Sequence, residues 1–199
     1  MAQEKQDTSI RKEQIMFASA NIIRDYGVRG LSISNIAKEI GLVPSAIYRH
    51  FKSKNEILKE IVKVFSQKLN SLADIAATQE VNPLSRIKKI LNMHVQLLIH
   101  NRFFPMLMFS EEVFLDEADV KKDFMSTIGM FLGRIGQNFK EAIEQGLIRD
   151  DLSIQNLTMM YMGMFLPVAA SLIVLGQEVE VLSLVESSWE VFQNGVIPK

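Results

Sequence analysis

The chain has 199 residues, with 22 Lys or Arg against 23 Asp or Glu and no cysteine. That length can bury a substantial core in one or two domains, and the missing cysteines exclude disulfides and thiolate metal sites, in keeping with a reducing cytoplasm. The net charge of −1 hides a division: residues 1 to 63 carry 11 basic against 7 acidic side chains, and the remainder 11 against 16. A basic head is an electrostatic footprint for phosphates. Between Glu39 and Glu56 no acid interrupts Arg49, His50, Lys52 and Lys54. The opening MAQEKQDTS lacks the basic start and apolar run of a secretory signal, so the expected location is cytoplasmic.

Apolar residues recur at steps of three and four almost throughout, without sustained alternation, which predicts an all-α chain of about nine helices. Ile15, Ala18, Ile22 and Tyr26 give the inward stripe of a first helix, closed by Gly27 and Gly30. Ser32 caps a short second helix with Ile33, Ile36, Ala37 and Ile40 inward, and Gly41 closes it in the left-handed conformation. Pro44 opens a third. Ser53 and Glu56 have capping-box spacing and start a long fourth helix through Leu58, Ile61, Val62, Phe65, Leu69 and Leu72. Asn82 and Pro83 begin another, and Pro105 interrupts the chain beside Phe103 and Phe104. Phe124, Ile128, Phe131, Ile135 and Phe139 mark a long helix that Gly146 ends, and two more, at roughly 153–176 and 179–195, complete the chain.

Residues 31–54, LSISNIAKEIGLVPSAIYRHFKSK, carry the chemistry. Two short helices joined by a glycine turn are the minimal device for presenting one helix to a major groove. At 100° per residue, Ile47 and Phe51 share a side that packs on Ile36 and Ala37, while Pro44, Ser45, Tyr48 and Arg49 share the other. Small residues such as Ser45 and Ala46 let the backbone approach base edges, Arg49 can read a guanine or a phosphate, and the Tyr48 hydroxyl can bond a phosphate oxygen. Ser34 and Lys52 are either further contacts or solvated side chains.

This segment resembles the TetR family of bacterial and archaeal regulators. The family pattern of a Thr or Ser cap, an Ile-Ala pair, a glycine turn and Y-x-H-F-x-x-K is met by Ser32, Ile36, Ala37, Gly41, Tyr48, His50, Phe51 and Lys54, and the resemblance is dense over residues 11 to about 60. It implies a DNA-binding domain at 9–55 and a ligand-binding and dimerisation domain at 56–199. It further implies that Ser32, Tyr48, His50 and Lys54 hold the backbone of double-stranded operator DNA; the helical wheel alone would not choose His50, which lies toward the packed side. Val43 stands where a capping Ser is common, and Ala46 where Gly or Thr is common.

In the larger domain, no charge occurs between Leu152 and Gln177, and the run from Met159 to Gly176 approaches the length of a membrane span. Pro167, several polar residues and acidic flanks with Arg149 as the only basic anchor point instead to a helix buried between its own domain and a twin subunit. The resemblance implies a homodimer through the last two helices, for which Leu182, Val185, Trp189, Phe192 and Val196 offer an apolar stripe. It also implies a pocket for an apolar or aromatic effector, with Met93, His94, Phe103, Phe104, Leu107, Ile128, Met160 and Met164 as candidate lining. For each methionine, ordinary core filling is the competing reading, and His94, which continues the stripe Ile87, Ile90, Leu91 and Leu98, is either a satisfied core histidine or a ligand's hydrogen-bond partner. Gly129, Gly133 and Gly136 share a face suited to close helix packing, and Arg134 reads as solvated or as a carboxylate partner.

No metal-binding His pattern, phosphate-binding glycine loop, G-x-S-x-G or cysteine nucleophile occurs, so the sequence reads as non-enzymatic, without cofactor or metal. The expected function is a transcription regulator, a repressor released from DNA by its effector. A helical scaffold protein is the alternative, and salt-dependent DNA affinity separates the two.

Overall fold

The structure is a computed structural model that describes residues 2–115, 118–174 and 180–198. Those residues form ten α-helices and one 3-10 turn, with no strand among them. The count exceeds the expected nine because the region around Pro105 holds two short helices. Pro105 lies in the first turn of one of them, where its missing N–H costs no helical bond, and the break falls before it at Asn101 and Arg102. The ends expected at 176 and 179 lie outside the described residues.

The chain divides into two compact units, Met1–Phe65 with Arg102–Met125, and Ser66–Asn101 with Ser126–Lys199. In the first, α1 (Ala2–Tyr26) leads through the 3-10 turn Val28–Gly30 to α2 (Ile33–Glu39), α3 (Pro44–Tyr48) and the start of α4 (Lys54–Gln79), with α6 (Phe103–Met108), α7 (Glu111–Leu115) and the start of α8 (Ala118–Glu144) completing it. Its core is Ile15, Ala18, Ile22, Ile23, Ile36, Ala37, Ile47, Phe51, Leu58 and Phe65, and Phe104 packs its ring 4.2 Å from that of Phe65. Arg29 pairs with Glu111 and Glu112, and Lys59 pairs with Asp119 at 2.8 Å.

Tyr26 does not join the core as its stripe position suggested: it is 74% exposed, and Ile23 is buried instead. The backbone explains it. A Cβ on Gly30 would stand 2.4 Å from the Tyr26 Cβ, so the chain crosses directly over that position and the ring turns outward, beside Asn35 and Lys38.

The second unit contains the later turns of α4 and α8, all of α5 (Pro83–His100), α9 (Ile154–Val174) and α10 (Val181–Val196). Asn82 caps α5 by accepting from Leu84 and Ser85 N–H at 2.9 and 3.0 Å. Arg86 donates to Asn138 and Glu141 at 2.8 Å each and to the Glu80 and Val81 carbonyls, fastening the start of α5 to α8. Arg134 is occupied as well, by Asp74 at 2.5 Å and the Asn70 carbonyl at 3.0 Å. On α8, only Gly136 meets a neighbour closely, 3.2 Å from its would-be Cβ to Ile154; Gly129 and Gly133 face open space.

α10 corrects the expected stripe. Val185, Trp189, Phe192 and Val196 are buried in their own unit, where Phe192 packs on Phe139 and Trp189. Only Leu182 of that set is exposed, and the outward apolar face consists of Leu184 and Val191 with Ser188 and Gly195 between and beyond them. α10 has apolar residues on two sides, and the larger side chains fill the chain's own core.

α2 ends with Gly41 at φ 67°, its N–H bonded to the Lys38 carbonyl and the Leu42 N–H to the Ala37 carbonyl, which is the Schellman pattern. Gly41→Ala is therefore expected to cost about 1–2 kcal/mol through the left-handed backbone, and Gly30→Ala about 1–3 kcal/mol through overpacking on Tyr26. Urea unfolding of each variant against the parent chain measures both.

Candidate functional site

The turn between α2 and α3 sets the site. Ser32 Oγ accepts the Asn35 N–H at 3.1 Å and starts α2, which leaves its hydroxyl proton free to donate outward. Val43 precedes α3 with no side-chain cap, as its departure from the usual Ser implied. α2 packs on α3, and Ile36, Ala37, Ile47 and Phe51 are all buried to 2% exposure or less. With that side committed, Pro44, Ser45, Tyr48 and Arg49 face solvent together, Tyr48 at 54% exposure, and Ala46 is half-buried. Ser34 is exposed on α2.

After α3, a second capping device turns the chain into α4. Ser53 Oγ accepts the Glu56 N–H at 3.2 Å, and the Glu56 carboxylate reaches back to the Lys52 N–H at 2.6 Å. The expected box is present, with the carboxylate one residue further back than the usual pattern. It holds Lys52, exposed, and Lys54, half-buried at the first residue of α4.

His50 is half-buried, with Nδ1 enclosed and unpartnered. Burial lowers its pKa, and the nearby positive charges of Arg11, Lys12 and Arg49 lower it further. An arriving phosphate would offset those charges and favour the protonated ring. Arg11 and Lys12 were not among the sequence candidates. Lys12 Nζ stands 5.3 Å from the centre of the Phe51 ring, so α1 contributes cations to the same rim.

Comparison with known proteins agrees with this geometry. Residues 15–61 match the family model described as bacterial regulatory proteins, tetR family. The helix-turn-helix segment is thus of the tetR type. Among curated relatives, the nucleoid occlusion factor SlmA of Mannheimia succiniciproducens is 21% identical over 148 residues, 74% of this chain and 67% of its own. Of solved structures, the transcriptional regulator FadR from Bacillus subtilis in complex with stearoyl-CoA superposes with a TM-score of 0.76 at 19% identity, covering 92% of this chain and 98% of that one. AibR in complex with isovaleryl coenzyme A and operator DNA does so with 0.75 at 17%, covering 91% and 97%. Likeness at those identities is a likeness of fold, and it covers nearly the whole chain.

The candidate effector residues fall in different places. Phe103, Phe104 and Leu107 belong to the first unit, with Phe103 and Phe104 rings 4.1 Å apart. Met93, Ile128 and Met164 are half-buried in the second. Met160 is half exposed on the outer side of α9 with Met159 and Gly163. His94 lies at the centre: fully buried, stacked on Phe165 at 4.2 Å, edge-on to Phe131 at 5.1 Å, and 3.5 Å from the Tyr161 hydroxyl. Sequence reasoning missed Tyr161, since nothing local links it to a residue 67 positions away.

Burial pushes the His94 pKa down from 6.5 to about 3, so the ring is neutral in the folded chain. An unfolded chain takes up a proton there as pH falls below 6.5; the stabilisation is complete above that value and is lost progressively toward 3. By pH 5 this one group should remove about 2 kcal/mol, at about 1.4 kcal/mol per pH unit. Urea unfolding of the parent and of His94→Leu at neutral pH and at pH 5 tests it: the loss on acidification should be smaller in the variant by about that amount.

Proposed function

We propose that the chain is a homodimeric transcription regulator, a repressor, that binds operator DNA through residues 9–55 and is released when an apolar small molecule enters residues 56–199. The observation that carries the reading is the solvent-facing side of the helix-turn-helix, where Ser45, Tyr48 and Arg49 stand clear of the core, with Lys52 exposed and Lys54 half-buried in the segment that follows. The side is small, polar, aromatic and cationic, which suits a groove floored by base edges and walled by phosphates. Tyr48, Lys54, Ser32 and His50 hold the backbone; Arg49, Ser45, Pro44 and Ala46 face the bases. Arg11 and Lys12 add to the phosphate rim. The protein works in the cytoplasm, where the DNA is.

A second copy is needed on two counts. One short helix reads too few base pairs, whereas two helices about 34 Å apart enter successive major grooves. The second unit also exposes apolar side chains on α9 and α10, including Met159, Val174, Leu184 and Val191. α9 is long and apolar enough to cross a membrane, yet it carries Pro167 and packs on α5 and α10. Two such faces packed together form the four-helix dimer interface the family uses. The effector half of the reading is supported by the aromatic core around His94 and by FadR and AibR, each solved with an acyl thioester of coenzyme A. The effector must prefer the DNA-incompetent state, and α4, unbroken from Lys54 to Gln79, is the lever.

Two measurements test this. Tyr48→Phe and Lys54→Ala should each weaken binding to a duplex from the protein's own upstream DNA, and Lys54→Ala should lower the slope of log affinity against log salt by about two, about one for each subunit of the dimer; unchanged affinity and slope would remove both residues from the interface. Val191→Glu, at a position open in the single chain, should convert the dimer to a folded monomer by light scattering, with operator affinity falling at least tenfold as the paired half-sites are lost.

A further inference from the structure

His94, on α5, and Tyr161, on α9, are polar side chains in an apolar centre, and they have almost nothing polar to meet. Their single mutual contact is long, 3.5 Å between Tyr161 Oη and His94 Nδ1, and His94 Nε2 is buried without any hydrogen-bond partner. The rest of the ring's surroundings are the faces and edges of Phe131 and Phe165. A core that needed only filling would be better served by leucine, since an unmet buried polar group is a standing cost to the fold.

The proton's place follows from chemistry. The phenol is the better donor and an imidazole nitrogen the better acceptor, so Tyr161 O–H donates to Nδ1 and the ring carries its own proton on Nε2. The free group is thus one N–H donor on an uncharged ring, held in orientation by Tyr161 from one side and by aromatic stacking from another. Met93 and Met164 neighbour the pair in sequence on the same two helices and are half-buried; their flexible thioethers can yield to an entering chain.

We propose that His94 Nε2–H anchors the carbonyl oxygen of an uncharged, otherwise apolar effector, an acyl thioester, ester or ketone, and that the site rejects the corresponding free carboxylate. The inference rests on the effector reading above and specifies its chemistry. A carbonyl satisfies the orphan donor and adds no charge, and the flanking rings accept the hydrocarbon. A carboxylate would bring a full negative charge among Phe131, Phe165 and Tyr161, none of which supplies a cation.

The test uses the full chain at neutral pH with three probes: the octanoyl thioester of N-acetylcysteamine, 2-decanone and octanoate. Binding is read from the emission of Trp189, the single tryptophan, and from release of operator DNA. Thioester and ketone should bind and octanoate about tenfold more weakly or worse, and His94→Phe should erase that preference by weakening the thioester about tenfold. Independently of how the variant folds, the ¹⁵N resonance of His94 Nε2 in the parent chain should move on adding the thioester. Equal binding of octanoate, a preference that survives His94→Phe, or an unmoved resonance would overturn the proposal. Pyrene, an apolar probe with no carbonyl, separates the two readings. If pyrene alone binds and releases DNA, the carbonyl anchor is wrong while the apolar-effector reading stands; if no probe does either, both fall.

Discussion

The packing of Ile36 and Ala37 on Ile47 and Phe51 is the constraint from which the solvent-facing side of the helix-turn-helix follows. α3 is only five residues long, too short to persist alone, and its orientation is set by the apolar side it must bury against α2. Once that side is fixed, the helical period leaves Tyr48 and Arg49 no other direction than outward. The Schellman closure at Gly41 and the caps at Ser32 and Ser53 then act as angular stops, since each determines where one helix ends and at what angle the next begins. None of these groups contacts DNA in the proposed reading except Ser32, yet the positions of all that do depend on them.

The helix-turn-helix was legible in the sequence because every signal that builds it is local: a capping hydroxyl and the N–H that donates to it three residues on, a glycine after the last helical turn, a proline at the first. The rim was less legible. Arg11 and Lys12 reach it from α1, and a reading confined to residues 31–54 had no means of placing a cation across the bundle. Tyr26 shows the converse limit, since a stripe names the side of a helix that faces its neighbours but not the residue at which another segment takes over that place.

α10 was misread for a different physical reason. A helix with two apolar sides buries one in its own unit and leaves the other for something else, and a 3.6-residue period cannot say which is which. Volume decides it here. Trp189 and Phe192 fill the unit's interior alongside Phe139, whereas the outward side is made of the smaller Leu184, Ser188, Val191 and Gly195. The same logic bears on α9, where Met160 and Gly163 share the outward side and Tyr161 and Phe165 the inward one. The methionine expected to line a pocket and the tyrosine that went unnoticed are neighbours in sequence, separated by a single step of 100°.

That step places the polar chemistry of the second unit. His94 was legible as an inward residue, because Ile87, Ile90, Leu91 and Leu98 on its stripe are all buried. What the stripe could not convey is that the histidine would meet rings on three sides and leave one nitrogen unanswered. A buried charge would have drawn a counter-ion or water into the core; a neutral ring with one free N–H does neither, so in the proposed reading the domain stays apolar and still offers a directional donor. Selectivity in such a site comes from the penalty on molecules that arrive with the wrong charge more than from the bond offered to the right one, since the bond is worth little more than the water it replaces while an unpaired buried charge has no compensation at all.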